Sequence, residues 1–278
     1  MLNVYKLSKR TFREEKLVFF GASILLFYFI VGLLAPLLPL YEPTEIDFEY
    51  FLSAPNSSHL LGTDGNGMDV LSRTIYAIRV DLLVSVVSVS AAVIIGIVIG
   101  CISGYFGGKI DAILMRLLDI FQSFPTFILA LSIAAILGPG VLNLIFVIAV
   151  VNAPAYARLI RAEVKAIVIQ GYVDSARLSG IKHLKILISH ILPNSLLPVR
   201  IIAPLNCGWA ILTLAGLSFL GLGIPIPEAE WGSMIGAGSN DVVSGVWWTS
   251  GVPGIALVTC IFGFTILGEG FQERQRRK

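Results

Sequence analysis

The sequence predicts an all-α, polytopic membrane protein with six transmembrane helices, and three observations carry that prediction. Of 278 residues, 56% are hydrophobic and 14% charged, with a mean hydropathy of +0.84. A soluble domain of this size needs more polar surface than that. Six apolar windows reach the length of about 20 residues that a helix needs to cross a bilayer core. The charges, finally, are sorted by loop, as the lipid-facing topology of a multi-span protein requires.

The windows run over residues 17–38, 82–104, 117–138, 141–160, 198–222 and 251–271. The first follows Lys6, Lys9, Arg10, Arg13 and Lys16. It is too long for a cleaved signal core, and no Ala-x-Ala-like site follows it, so it is expected to be a retained span. Gly138, Pro139 and Gly140 join the third and fourth windows by a short turn. The chain thus divides into a tail (1–16), a membrane-spanning body (17–271) and a basic tail (272–278). The body carries an outer amphipathic segment over 39–81, a long connection over 161–197 and an outer loop over 223–250.

All but Arg73 and Arg79 of the 20 basic residues fall at the termini, near the second connection or along the fourth. The remaining loops hold Glu42, Glu45, Asp47, Glu49, Asp64, Asp69, Glu228, Glu230 and Asp241. The positive-inside rule then places both termini and residues 161–197 in the cytosol.

Within the windows, Gly96, Gly100 and Gly104 recur every fourth residue and are expected to let another helix approach closely. Pro125, Pro154 and Pro204 are expected to interrupt helices. Arg116 and Asp119, three apart, are expected to pair on one helix face. Asn152, Asn206 and Thr213 place polar groups inside apolar spans, where an unsatisfied amide is costly. They are candidates to line a path, with interhelical hydrogen bonding as the competing explanation. Cys101, Cys207 and Cys260 sit in apolar runs without metal-ligand spacing and read as small buried side chains.

The connection over 161–197 is patterned. Residues 172–180 read as a short helix ending at Gly180, and Ile181 to Ile191 as a second helix stopped by Pro193. A glycine at Gly180 permits a left-handed turn between them. Such an amphipathic elbow suits either docking into a partner's groove or lying on lipid headgroups.

Asp174-Ser175-Ala176, then Gly180, then His190-Ile191-Leu192-Pro193-Asn194 resembles the cytosolic loop of ATP-binding-cassette (ABC) importer permeases. Asp and Ser stand where that family has Glu and its first Ala. The resemblance implies that the elbow is a coupling helix received by an ATPase subunit, through Asp174, Ser175, Ala176, Gly180, His190, Leu192 and Pro193. Residues 61–73, reading Leu-Gly-Thr-Asp-Gly-Asn-Gly-Met-Asp-Val-Leu-Ser-Arg, resemble the outer segment of dipeptide, oligopeptide and nickel permeases, with Met68 where Arg is usual. Leu217-Ser218-Phe219-Leu220-Gly221-Leu222-Gly223, Glu230-Trp231-Gly232, Trp247-Trp248 and Pro253-Gly254 are similar to the same family's second, C-type permease. The forms Arg177-Leu178-Ser179-Gly180 and Ala229-Glu230-Trp231-Gly232 resemble the nickel branch slightly more than the peptide branch, so nickel or a metal chelate is the expected cargo, with peptides as the alternative.

That resemblance implies a related second permease as pore partner, two cytosolic ATPase subunits that hold ATP and magnesium, an extracellular substrate-binding protein, and residence in a bacterial cytoplasmic membrane. No catalytic constellation and no resident cofactor is expected in this chain. Ser103-Gly104-Tyr105-Phe106-Gly107-Gly108-Lys109-Ile110 lacks the leading Gly and the hydroxyl residue of a phosphate loop. His183 and His190 are expected to shape the elbow rather than bind metal. A net charge of +2 implies no nucleic-acid partner. The rival class, an ion-coupled secondary transporter, usually needs intramembrane carboxylates, and the only mid-chain candidate is Asp119, which lies near an edge with Arg116.

Overall fold

The structure, a computed structural model, describes residues 2–275, with side chains from Glu15 onward. The side chains of Lys6, Lys9, Arg10 and Arg13, and residues Arg276, Arg277 and Lys278, on which part of the expected orientation rests, lie outside the described set. Among the described residues the fold is all-α, without strands.

The long helices are α1 (Leu2–Leu34), α2 (Val70–Phe106), α5 (Val141–Val168), α9 (Leu197–Phe219) and α11 (Trp248–Gln275). Each contains a segment long and apolar enough to span a membrane. Between α2 and α5 lie α3 (Gly108–Gln122) and α4 (Thr126–Leu137), bent by 85° at their junction. Taken together, this bent pair is apolar enough to supply a sixth span. The window at 117–138 therefore misplaces its start and treats as continuous a helix that breaks at Pro125. Proline lacks the amide the helix ladder needs, and it pushes the preceding Phe124 out of helical geometry.

Pro154 and Pro204 sit inside unbroken helices, against expectation. In a membrane bundle, neighbouring helices and small backbone adjustments absorb the lost hydrogen bond, and Pro154 is fully packed. The second span also starts earlier than its window. Its first three turns hold polar residues that hydropathy discounts but that Asp69 caps, accepting from the Ser72 amide at 2.8 Å.

The glycine row faces α5, which is the main partner of α2. A β-carbon at Gly96 would lie 2.4 Å from Tyr156 Cβ, one at Gly100 2.6 Å from the Ala157 carbonyl, and one at Gly104 2.8 Å from Val164 Cβ. Only hydrogen at these positions lets the two backbones come this close. Helix α1 packs chiefly on α11, and α9 fits between α2 and α11. The three cysteines are buried and unbridged.

Residues 38–69 contain no helix, so the expected outer amphipathic segment is an irregular loop followed by the first turns of α2. Backbone bonds from Asp47 to Gly67, Leu52 to Asp64 and Thr63 to Ser53 staple it. Arg73, 1% exposed, joins it to the loop between α9 and α11 by donating to the Pro43 and Pro227 carbonyls at 2.7 and 2.8 Å. Met68 is buried against the same guanidinium.

In the loop between α9 and α11, α10 (Trp231–Gly238) explains the Glu-Trp-Gly motif structurally. Glu230 accepts from the amides of Gly232 and Ser233, both at 2.7 Å, capping the helix. Burial pushes its carboxyl above the ordinary range. The Trp231 indole donates to the Thr74 carbonyl at 3.0 Å. Gly232 lies against the α9 backbone, where a β-carbon would meet Ala215 Cα at 2.4 Å. All three residues are packed into the fold, so their spelling reports on α10 and not on cargo.

Candidate functional site

Two places collect the residues the sequence singles out: the elbow after α5 and a cavity among α4, α5 and α9.

Helix α5 runs to Val168, two turns beyond its window, and the elbow begins after it. Its first limb is α6 (Gly171–Leu178). The limb ends as the sequence anticipates: Gly180 has φ +73°, its amide donates to the Arg177 carbonyl at 3.0 Å, and the Ile181 amide reaches back to Ala176 at 3.2 Å. These are the two bonds of a Schellman C-cap, which needs a left-handed residue between them. The second limb is α7 (His183–Ile186), a π-turn over Leu187–Ile191 and α8 (Leu192–Ser195). Pro193 does not stop this limb as expected. It sits in the first turn of α8, where a proline's missing amide leaves nothing unpaired.

Val173, Ala176, Ile186 and Ile191 are buried and fix the elbow to the body. Tyr105, at the end of α2, holds both limbs. Its hydroxyl is 2.6 Å from His183 Nδ1, and the Arg177 guanidinium stands 5.4 Å from its ring centre. Of the predicted coupling residues, Ala176 is therefore an anchor. Asp174, Ser175, Gly180 and Pro193 are exposed, and His190 and Leu192 partly so. Asp174 pairs with Arg177 at 3.1 Å, and the His190 carbonyl accepts from Asn194 at 2.8 Å. Leu178 and Leu184, 90% and 70% exposed, leave apolar surface on each of the two limbs. The sequence reading missed Leu178 and Tyr105. A lone leucine before a glycine, or an aromatic at a span's end, carries no signal of its own.

The basic residues near the elbow are partly spent on the fold. Arg161 grips Asp111 of α3 with Nε at 2.5 Å and Nη2 at 2.7 Å, and Lys165 Nζ reaches it at 2.6 Å. Ser103 of α2 donates to the same carboxylate. A bidentate pair of this kind orients as well as attracts, and here it locks α3 to α5. Asp119 pairs with Arg158 of α5 and not with Arg116. A helix-to-helix partner replaces the expected neighbour on one face.

Asn152, Asn206 and Thr213 come together around one cavity of about 600 Å³, with Thr126, Phe127 and Trp209 also in its wall. The Asn206 amide donates to the Tyr156 hydroxyl at 2.8 Å, an interhelical bond. Asn152 and Thr213 donate within their own helices, to Ile148 and Trp209 carbonyls at 2.8 Å each. The amide oxygens of Asn152 and Asn206 accept no hydrogen bond among the described residues. The wall thus offers acceptors and apolar or aromatic surface, and no charged side chain lines it.

Asp81 is a carboxylate the windows overlooked, because the second one starts a residue later. It is fully buried in α2, with Oδ2 3.4 Å from the Trp231 amide and Oδ1 unpartnered. It stands behind α10 and away from the cavity wall. Among the described residues no cluster of three or more His, Cys, Asp or Glu could hold a metal ion.

Residues 96–278 match the profile of the family described as binding-protein-dependent transport system inner membrane component. Over 261 residues the chain is 36% identical to the dipeptide transport system permease protein DppC of Alkalihalophilus pseudofirmus, covering 94% of this chain and 86% of that one. It is 37% identical over 253 residues to the probable D,D-dipeptide transport system permease protein DdpC of Escherichia coli (91% and 85% covered). To the glutathione transport system permease protein GsiD of Pectobacterium atrosepticum it is 33% identical over 265 residues (95% and 88% covered). In fold it is similar to a chain of the MetNI methionine ABC transporter in an inward-facing form, with a TM-score of 0.55 at 16% identity, covering 71% of this chain and 93% of that one.

Proposed function

The chain belongs to the inner-membrane components of binding-protein-dependent transport systems, among the peptide-type ABC permeases, and from that premise we propose that it forms half of a path for short peptides, opened by ATPases docked on its elbow. The observation that carries the cargo class is the cavity with Asn152, Asn206 and Thr213 in its wall. A peptide presents one donor and one acceptor per residue, and a carboxamide can serve either. Phe127 and Trp209 supply apolar surface that tolerates varied side chains. The relatives named above are permeases for dipeptides and glutathione, and none supports the nickel preference drawn from the sequence. The second half of the path is a related permease. ATP and magnesium belong to the two ATPase subunits, and an external binding protein delivers the peptide.

Single Ala substitutions at Asn152, Asn206 and Thr213 test the path. In the assembled, reconstituted complex, at least one is expected to lower dipeptide uptake by about fivefold or more, the worth of one hydrogen bond of about 1 kcal/mol. ATPase copurification should be unchanged. Asn206→Ala should also leave Tyr156 without its partner. Wild-type uptake and wild-type peptide preference in all three would remove the cavity from the path. Competition by nickel salts at concentrations where dipeptides do not compete would restore the metal reading.

Orientation follows from the loop charges, and labelling tests it. Ser57→Cys and Asn240→Cys should react with an impermeant thiol reagent from outside, and Ser175→Cys only from within. Ser57 is preferred to Asn56 because Asn56 Oδ1 accepts from the Ser58 and His59 amides, each at 2.9 Å, and so shapes its own loop. Outside labelling of Ser175→Cys in sealed vesicles of known orientation would invert the topology.

A further inference from the structure

Arg79 is one of two basic residues that the charge sorting leaves on the wrong side. Arg73 is accounted for by its buried contacts between the outer loops. Arg79 makes no ion pair or hydrogen bond among the described residues and is exposed on α2. It stands level with the last turn of α1: a β-carbon at Gly32 would sit 2.7 Å from Ile78 and 3.7 Å from Arg79 Cγ. From that contact an apolar groove of about 430 Å³ opens between the helices, lined by Phe29 and Leu33 of α1, by Leu82, Leu83, Val86 and Val87 of α2, and by Phe264 of α11. Arg79 is the one charged residue in its wall.

An unpaired guanidinium on a lipid-facing surface is costly unless it snorkels to the interface and finds an anion there. The groove supplies the complementary requirement. From Ile78 to Val87 it follows ten residues of helix, about 14 Å, enough to seat much of an acyl chain. Gly32 keeps the two helices close at the charged end. We propose that this groove is a binding site for a phospholipid of net negative charge in the leaflet on the side of the α1–α2 connection, its phosphate on Arg79 and one chain between α1 and α2. The site is separate from the cavity and the elbow, and it does not rest on their proposed roles.

The test uses the assembled complex in bilayers of mixed phosphatidylglycerol and phosphatidylcholine, with retained lipids counted by native mass spectrometry. Wild type is expected to enrich phosphatidylglycerol by about fivefold, the worth of one basic side chain at an anionic surface. Arg79→Gln should abolish the enrichment and Arg79→Lys should keep it, since the attraction is that of a point charge. Val86→Trp, which fills the groove, should reduce retention of both lipids. Inorganic phosphate should not displace the bound lipid, because it lacks the chain. Equal enrichment in wild type and Arg79→Gln, or displacement by phosphate alone, overturns the proposal. Should the variants fail to assemble, a photo-reactive benzoylphenylalanine at Leu83 decides. Crosslinks to lipid support the site, and crosslinks to the partner permease show that a subunit covers the groove instead.

Discussion

A complex carrying Gly180→Val is expected to reach the membrane, lose its ATPases on purification and fail to transport. A β-carbon at Gly180 would meet nothing within 4 Å, so crowding does not enter. The cost is conformational. At φ +73° a β-branched residue pays about 1–3 kcal/mol. Relaxing to negative φ breaks both bonds of the cap, from the Gly180 amide to Arg177 and from the Ile181 amide to Ala176. The limbs then lose their fixed angle, and the exposed leucines Leu178 and Leu184 lose their fixed relation. Insertion of the spans depends on apolar length and is unaffected. The physical cause predicts an order. Gly180→Asn should be mildest, since Asn tolerates the left-handed region, with Gly180→Ala intermediate and Gly180→Val worst. Asp174→Lys should act similarly by removing the pair with Arg177 and leaving a run of like charges. Copurification of tagged permease with ATPases measures the series, and equal recovery across it would separate the turn from ATPase binding.

Gly100→Leu is expected to act earlier, on the folded yield of the permease itself. At Gly100 a β-carbon would lie 2.6 Å from the Ala157 carbonyl, 2.9 Å from Ile160 Cβ and 3.0 Å from the Arg161 amide. Two of these three obstacles are backbone, so no rotamer change relieves them, and the helices must part. Overpacking of this kind costs about 1–3 kcal/mol and sometimes more. The upper end is expected here, because separating α2 from α5 also strains Arg161 on Asp111. Detergent-resistant, monodisperse permease should fall to a small fraction of wild type. Gly254→Ala in α11, where nothing lies within 4 Å of the added carbon, is the matched control and should be neutral. Full recovery of Gly100→Leu would mean that the α2–α5 contact is looser than described.

Both predictions rest on features the sequence displayed, a four-residue glycine row and a glycine closing a short helix. Such signals are local, as are apolar length and loop charge, and they located the spans to within a few turns. What failed was non-local. Whether a proline breaks a helix depends on what packs beside it, so Pro125, Pro154 and Pro204 look alike in sequence and differ in the fold. Asp81 escaped notice because a hydropathy window starts where charge stops, while the helix starts at its cap on Asp69. The polar candidates Asn152, Asn206 and Thr213 stood out inside apolar runs and proved to share a wall. Phe127 and Trp209 did not, since an aromatic in a span reads the same whether it faces lipid or a cavity. Tyr105 and His183 meet across 78 positions, a contact no motif announces. The nickel leaning rests in part on Glu230, which the fold buries as the cap of α10.

Docking of the ATPases on the elbow, as proposed, is open to site-specific crosslinking at its exposed leucines. Benzoylphenylalanine placed at Leu178 or Leu184, both exposed and outside the anchoring set, should join the permease to an ATPase subunit in the assembled complex. Substrate-stimulated ATP hydrolysis in lipid should persist before irradiation and fall after it. Crosslinks to lipid alone, with the ATPases still bound, would place the elbow on the membrane surface and contradict the claim.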